Sequence, residues 1–503
     1  MKKFLILCFL VVASAIRKFM MKQDWLYKSL FAPQLAGFRE LVGKWKAWRV
    51  FEKAKRDCPA YAKFVNDNPG TEVKWHGFVP DLSAIPATEK KNYVLKYPLI
   101  ERCYFGEFPW KGGLIDESSG SSGKPNNWVR GPAERKEVGR IMQIAMRHLL
   151  GDEPVFFLNA FALGPWATGM NVSGFVSDVC LLKSIGPDAA KIITTLKDFG
   201  PKYRYIIAGY PPFLKALVDS DEINWSDYNI VAFYGGEGIS EAMRDYLGKG
   251  FKKVYGSYGA SDLEINIAAE NDFTIRLRKL ILSNASLRAR LCKYDGDPIV
   301  FQYNPMDYLI ETNDEGELII TICRVENVAP KIRYNIRDRG QVIRFSEVAE
   351  ILEEEGYPVS SLDVGQVAEL PILLHFGRAD LAVAFYGCKI TPNEIEKIVF
   401  ENRVLAPIVE LFALVTNEDE QSNKLLTVAL ELRPDQVAPD DVEALSREVF
   451  EQLAAANQDF RESRKMIPAG LEPRLEFFAS RTGPFAGKDI RLKSKYIQET
   501  KSH

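Results

Sequence analysis

Ser118-Ser119-Gly120-Ser121-Ser122-Gly123-Lys124-Pro125 is the stretch on which the reading of this chain turns. A succession of small residues lets the backbone curl so that several N–H groups face one anion, and the hydroxyls and Lys124 add donors. That is one way a protein holds the phosphates of a nucleotide. A Ser/Gly run is also the composition of a flexible linker. This one, however, sits inside a folded pattern and follows apolar Leu114-Ile115. A P-loop needs four residues between its glycines and Ser or Thr after the lysine. Here two residues separate Gly120 from Gly123, and Pro125 follows Lys124.

On either side of this run the pattern is that of an α/β enzyme. Residues Gln34 to Val65 read as helical, rich in aromatic and basic side chains. After Pro125, long helical patterns alternate with short β-rich runs at Val155–Leu158, Tyr205–Ala208, Ile230–Tyr234 and Lys253–Tyr255. Strands alternating with helices predict a largely parallel sheet with helices on its faces. Shorter β runs follow at Ile299–Tyr303, Glu317–Ile322 and Val342–Phe345, and these predict a more antiparallel, barrel-like section. Beyond Gly377-Arg378-Ala379-Asp380 comes a smaller α/β pattern. Pro392 to Phe400 and Asp440 to Ala455 read as helices, Ile408–Val415 and Leu425–Leu432 as strands, and Phe460 to Lys495 as a basic loop-like tail. The predicted division is an apolar N-terminal segment (1–21), a large α/β domain (22–376), a hinge (377–380) and a small α/β lid (381–503).

Composition narrows the function classes. The 503 residues are 47% hydrophobic and 26% charged, the balance of a globular enzyme. Lys and Arg number 65 against 67 Asp and Glu, which argues against a nucleic-acid partner. The basic stretch Arg276, Arg278, Lys279, Arg288, Arg290 and Lys293 reads first as the solvated side of a helix and second as a dock for a phosphorylated ligand. Seven cysteines are scattered with no C-x-x-C, and with four histidines no structural metal is expected. An odd number of cysteines fits a reducing compartment, so a cytoplasmic location is expected.

The N-terminus carries three readings. Lys2 and Lys3 precede an apolar run from Phe4 to Ile16 containing Ala13-Ser14-Ala15, which has the form of a secretory signal. A true start at Met20 or Met21 is the second. The third is an interfacial anchor giving peripheral membrane contact, because Trp25, Leu26, Leu30, Phe31, Leu35, Phe38 and Leu41 recur at roughly helical spacing among basic residues. The run is too short to cross a bilayer comfortably. Packing of the stripe on the main body is the leading expectation for it.

Five further elements follow the Ser/Gly run in order. The first is Tyr234-Gly235-Gly236-Glu237-Gly238, and the second Tyr255-Gly256-Ser257-Tyr258-Gly259-Ala260-Ser261-Asp262. Then come Tyr334-Asn335-Ile336-Arg337-Asp338, Gly377-Arg378-Ala379-Asp380 with Gly387 and Pro392 through Glu396, and finally Gly487-Lys488-Asp489-Ile490-Arg491. The ordered set resembles the adenylate-forming superfamily of acyl- and aryl-CoA synthetases, in the form of its phenylacetate–CoA ligase branch. It spans about three-quarters of the chain.

The resemblance implies roles for individual residues. Ser118, Ser119, Gly120, Ser121, Ser122, Gly123 and Lys124 would hold ATP phosphates, and Gly236 and Glu237 would lie on the adenine side. Tyr258 would stack on adenine, with Gly259 and Ser261 beside it. Asp262 replaces the usual Glu as the carboxylate that helps hold Mg²⁺, with Glu264 the alternative. Asp338 would accept hydrogen bonds from the ribose hydroxyls, Arg378 would lie near the nucleotide, and Asp380 would be the hinge pivot. Lys488 would bridge the substrate carboxylate and the α-phosphate. Phe161, Trp166 and Phe233 are candidates for an apolar acyl pocket, and each reads equally as core.

The implied activity is ATP-dependent conversion of a small carboxylic acid to its acyl-adenylate, followed by transfer to a thiol, with coenzyme A as co-substrate. Transfer to an acyl carrier protein, a protein cysteine or an amine is the sister expectation. A protein that binds nucleotide or acyl ligand without turnover is the expectation of another class.

Overall fold

The computed structural model describes all residues except 22, 119–125, 152, 165–166, 237, 363, 366, 379–382, 386–387, 419–423, 458–459, 462–463, 465–466, 468–469, 487–496 and 500–503. The chain divides into two compact units. One comprises Met1–Gly186, Tyr255–Tyr294 and Pro298–His375, the other Pro187–Val254, Asp295–Asp297 and Phe376–His503.

The first unit begins with α1 (Lys2–Met20) and α2 (Ala36–Asp57), followed by a small hairpin of β1 (Lys74–His76) and β2 (Val79–Asp81). Helix α1 turns Ile6 and Leu10 inward, and α2 buries Val42, Ala47, Trp48, Val50, Phe51 and Ala54. The spacing of those positions is that of one helical face. Charge fixes both helices to the body. Arg17 of α1 meets Asp307 at 2.8 Å, and Lys46 of α2 reaches the same carboxylate at 3.3 Å. The Asp307 side chain is fully buried. Burial alone would raise its pKa, but Arg17, Lys46 and Arg324 outweigh it and hold the carboxyl well below the usual range. Arg39 donates to the carbonyls of Leu30, Ala32 and Glu369 at 3.0, 2.7 and 2.6 Å. The aromatic stripe is only partly packed, because Trp25 is 71% and Phe38 41% exposed.

Next come the hairpin β3 (Leu114–Ser118) and β4 (Asn126–Arg130), then α3 (Pro132–Leu150), β5 (Val155–Asn159), α4 (Ala167–Val176) and β6 (Leu181–Ser184). β5 and β6 pair in parallel. The later strands are β7 (Lys253–Tyr258), β8 (Ala268–Ala269), β9 (Ile299–Gln302), β10 (Tyr308–Thr312), β11 (Glu317–Ile322), β12 (Tyr334–Ile343) and β13 (Ile372–Arg378). They form one run in the order β10-β11-β12-β13-β9-β8-β7. Pairing is antiparallel between β7 and β8, β8 and β9, β9 and β13, β10 and β11, and β11 and β12. The expected barrel-like section is an antiparallel run, with no closing strand pair among the described residues. β12 already ends at Ile343, and a helix occupies Phe345–Glu354, where the β-rich run Val342–Phe345 predicted a strand.

The second unit pairs Arg204–Gly209 in parallel with Asn229–Gly235, residue for residue from Arg204–Asn229 to Gly209–Tyr234. Its later segment has a sheet of Val409–Glu418, Lys424–Leu432, Arg474–Phe478 and Ile497–Glu499. The helices Pro392–Glu401 and Val442–Ala456 pack on that sheet through Ile395, Val399, Val449 and Leu453. Arg474–Phe478 corrects the loop-like reading of the tail, since its Leu475 packs in this core. Within the unit, Asp219 accepts from Tyr246, Lys215 and Arg433 at 2.5, 3.1 and 3.0 Å. Burial pulls the Lys215 ammonium down to about 8 despite Asp219.

One smaller reading changes. Arg278 is only 1% exposed, so the basic stretch is not uniformly a solvated face. Among the described residues no helix is long and apolar enough to cross a membrane.

Removing one partner of a buried ion pair leaves the other charges uncompensated, at about 3–5 kcal/mol. Asp307→Asn should therefore loosen α1. In limited proteolysis the N-terminal segment should be cut faster than in wild type, and denaturant midpoints should fall. An unchanged digestion pattern would show that α1 is held by packing alone.

Candidate active site

Two of the motifs meet in the first unit through a pair of reciprocal hydrogen bonds. The Tyr258 hydroxyl, at the end of β7, donates to Asp338 Oδ2 at 2.7 Å. The Tyr334 hydroxyl, in β12, donates to Asp262 Oδ2 at 2.8 Å. Each motif thus supplies a tyrosine to the other's carboxylate. Gly259 is required by space: a Cβ there would sit 2.6 Å from the carbonyl oxygen of Glu264 and 2.7 Å from the amide nitrogen of Asn266. Between Tyr334 and Asp338, Arg337 takes a left-handed φ of 69°. It is held there by Asn335, whose Oδ1 accepts its N–H at 2.7 Å, and by Glu89, which accepts from its Nη2 at 2.6 Å. Such backbone is stored where the surroundings dictate it.

A buried guanidinium ties this loop to the Ser/Gly hairpin. Arg130 of β4 donates to Asp116 Oδ2 of β3 at 3.0 Å, and to the carbonyls of Ser261 and Leu263 at 2.5 Å each. Asn171 of α4 completes the clamp, donating to Asp116 Oδ1 at 2.9 Å. The loop flanking Asp262 is therefore fixed from the β3–β4 hairpin.

Glu264 and Asp262 have separate environments. Glu264 is buried and bound by Arg324, and it accepts from the Tyr308 hydroxyl at 2.5 Å. Asp262 carries the Tyr334 bond on one oxygen. A Mg²⁺ ion is commonly held through one or two carboxylates plus substrate phosphates, and Asp262 fits that use better than Glu264. Among the described residues no three His, Cys, Asp or Glu side chains converge as a metal cage.

Two buried cations lie against the same hairpin. Lys331 Nζ sits 3.9 Å from the Trp128 ring centroid and 5.7 Å from that of Tyr334, and the Arg102 guanidinium lies 5.6 Å from the Trp128 ring. Burial lowers the Lys331 ammonium far below its usual value, and Arg130 and Arg102 push the same way. Beside them, burial raises the Glu134 carboxyl to about 7, although Arg130 opposes the rise and the Val328 N–H donates to it at 2.8 Å.

His375 is a further neighbour. Its Nε2 lies 3.5 Å from Asp338 Oδ2, and its ring centroid is 4.8 Å from that of Tyr258. Neither Lys331 nor His375 was singled out in the sequence. The flanks of the recognised motifs were the available signal, since Lys331 precedes Tyr334 by three residues and His375 precedes Gly377 by two.

The structure thus brings together Tyr258, Gly259, Ser261, Asp262 and Asp338, with Ser118 ending β3. Phe161 is buried in the first unit, its N–H donating to Asn159 Oδ1 at 3.1 Å. Phe233 and Gly236 belong to the second unit. Phe233 is half-buried in the strand Asn229–Gly235, and Gly236 has a φ of 85° with Tyr210 where a Cβ would go. Arg378 ends β13. Ser119 to Lys124, Trp166, Glu237, Asp380, Gly387 and Lys488 lie outside the described residues.

Comparison with known proteins bears on this arrangement. Neither protein-family models nor curated proteins gave a match. Solved structures did. The chain superposes on 2-hydroxyisobutyryl-CoA ligase in the postadenylation state in complex with R3-HIB-AMP, with a TM-score of 0.57 and 14% identity, over 91% of this chain and 89% of that one. The same ligase with 2-HIB-AMP and CoA, in the thioesterification state, matches with a TM-score of 0.51 and 14% identity, over 94% and 92% of the two chains. At 14% identity the likeness is one of fold. Among solved structures, 2-hydroxyisobutyryl-CoA ligase is one that this chain resembles along nearly its whole length.

Glu134 gives the site a pH signature. Its folded pKa lies above the ordinary 4.5, so the stability it contributes is full below pH 4.5 and is lost as pH rises through about 7. The loss is on the order of 3 kcal/mol. Denaturant melts from pH 4.5 to 8 should show wild type losing stability across that window, while Glu134→Gln stays flatter. Parallel curves would mean that Glu134 is ionised in the fold throughout.

Proposed function

We propose that this protein activates a small carboxylic acid with ATP, forming an acyl-adenylate, and then transfers the acyl group to a thiol, with coenzyme A the acceptor. In the first step a carboxylate oxygen attacks the α-phosphorus and pyrophosphate leaves. In the second the thiol sulfur attacks the acyl carbon and AMP leaves. The observation that carries this reading is the reciprocal pairing of Tyr258 with Asp338 and Tyr334 with Asp262. It joins the two motifs with nucleotide roles inside a fold whose solved counterparts hold acyl-AMP and CoA.

The chain's own residues divide the work. Asp338 accepts from the ribose hydroxyls, an acceptor-only task suited to a carboxylate. Tyr258 offers its ring to adenine, and Ser118 to Lys124 hold the phosphates. Lys488 bridges the substrate carboxylate and the α-phosphate, offsetting repulsion between two anions. Asp262 would help hold Mg²⁺, which supplies neutralisation of the phosphate charge. Arg130 sets the position of Asp262, and no protein nucleophile is needed, so catalysis is placement and electrostatics. The phenylacetate–CoA ligase-like branch is the finer assignment, supported by the form of the Ser/Gly run. Phe161, Trp166 and Phe233 are proposed to line the acyl pocket, and Asp380 to be the pivot of a moving segment 381–503.

Carboxylate-dependent ATP–pyrophosphate exchange, screened over aromatic and aliphatic acids, tests the first step. Exchange should be seen with at least one acid, and addition of coenzyme A should yield its thioester. Exchange without a thioester would move the acceptor to a carrier protein or an amine. No exchange with any acid, despite ATP binding, would favour a binder without turnover.

Two substitutions sharpen the assignment. Lys488→Ala should abolish exchange, and Asp262→Asn should lower it by about 10²–10³-fold, the range for losing one preorganised electrostatic group. Wild-type exchange in Lys488→Ala would remove Lys488 from the site. If Glu264→Gln lost exchange while remaining folded and Asp262→Asn did not, the metal-facing carboxylate would be Glu264.

A further inference from the structure

Helix α1 has two apolar faces, and the protein covers one. Ile6 and Leu10 are 2% and 3% exposed. On the opposite side Phe4, Leu5, Val11, Val12, Ile16 and Phe19 are 69, 53, 59, 58, 53 and 62% exposed. Positions 4, 5, 11, 12, 16 and 19 fall on one helical face, so this is a continuous strip along a helix about 28 Å long. A surface helix ordinarily turns charged residues outward, and one that is apolar all round is a buried helix or one embedded in lipid. The strip continues into neighbouring aromatics. Phe9 packs edge-on against Phe38 and Trp45 at 6.0 and 5.4 Å, and Trp45 Nε1 donates to the carbonyl of Phe78 at 2.7 Å. Phe78 is 55% exposed at the tip of the β1–β2 hairpin.

We infer that this face docks on an anionic lipid bilayer, with α1 lying in the plane of the headgroups. Charge selects that occupant. Residues 1–23 contain no acidic side chain, and of their cations Lys2, Lys3 and Lys18 are exposed, whereas Arg17 is spent on Asp307. A second copy meeting through the same face would bring like charges together, whereas an anionic surface supplies the opposite sign. Attachment selects the orientation. Arg17 is held by buried Asp307 near one end of α1, and Lys2 Nζ donates to the carbonyl of Gly77 at 3.1 Å at the other. A helix pinned at both ends lies flat against its body and presents its length, not its end, to a surface. Trp25, 71% exposed just beyond α1, suits the interfacial level where aromatic rings collect. An apolar cavity of about 290 Å³ beside α1, walled by Leu10, Ala13, Ile16, Phe38 and Met306, gives a lipid chain room to enter.

The test is flotation of the purified full chain, its mass verified, with vesicles of phosphatidylcholine alone or with one-third phosphatidylserine. Wild type should float with the anionic vesicles, and less with the neutral ones or at high salt. The V12D/F19D variant should lose binding by about tenfold or more, as expected when two charges replace embedded apolar groups. Its circular dichroism and ATP–pyrophosphate exchange should be unchanged, because both side chains point outward. Trp110→Asp, at an aromatic that is 88% exposed elsewhere, should bind as wild type does. Wild type remaining unbound with both vesicle types overturns the proposal, as does binding that V12D/F19D leaves intact. A dimer in light scattering that V12D/F19D dissociates, with no flotation, overturns it in favour of a second copy of the chain.

Discussion

The site depends on one buried guanidinium. Arg130 reaches Asp116 on the neighbouring strand and the carbonyls of Ser261 and Leu263, on either side of Asp262. Charge-assisted hydrogen bonds are the strong ones, and a planar fork sets direction as well as distance. That contact links the β3–β4 hairpin to the loop after β7. Asn171 holding the other oxygen of Asp116 keeps the anchor itself from rotating.

Burial of charge is the recurring means of construction in the first unit. Asp307 gathers Arg17 and Lys46, Glu264 gathers Arg324 and Tyr308, and Asp116 gathers Arg130 and Asn171. Each acid joins segments far apart in sequence. Such groups are costly to desolvate, so they tolerate little displacement once paired. Their arrangement leaves Asp262 and Glu264, two residues apart, with different work: Glu264 is committed to Arg324, while Asp262 has one oxygen bonded to Tyr334.

Much of this was legible in the chain itself. The alternation of β runs with helices located the strands near residues 155, 205, 230 and 253, because period and turn residues are local properties. The motifs at Tyr258 and Tyr334 were readable as a resemblance to family elements, and Gly259 because close backbone approach demands glycine there. The antiparallel strands were also readable one by one, but their closure was not. Whether they curl into a barrel or stay an open run depends on pairing partners distant in sequence, such as β9 with β13. Arg474–Phe478 read as loop because its polar and basic flanks hid a strand that pairs with Lys424–Leu432.

The sequence by itself determined the alternation of strands and helices, the order of the glycine-rich and tyrosine-bearing motifs and the apolar, basic character of the first helix, since all three are carried by residue type and spacing. Only the tertiary structure decided which carboxylate was consumed by an ion pair, that His375 stands beside Asp338, that Lys331 lies over Trp128, and that the first helix keeps an apolar face uncovered. Those outcomes rest on burial and on contacts between residues tens to hundreds of positions apart. Neither property belongs to any local stretch of chain.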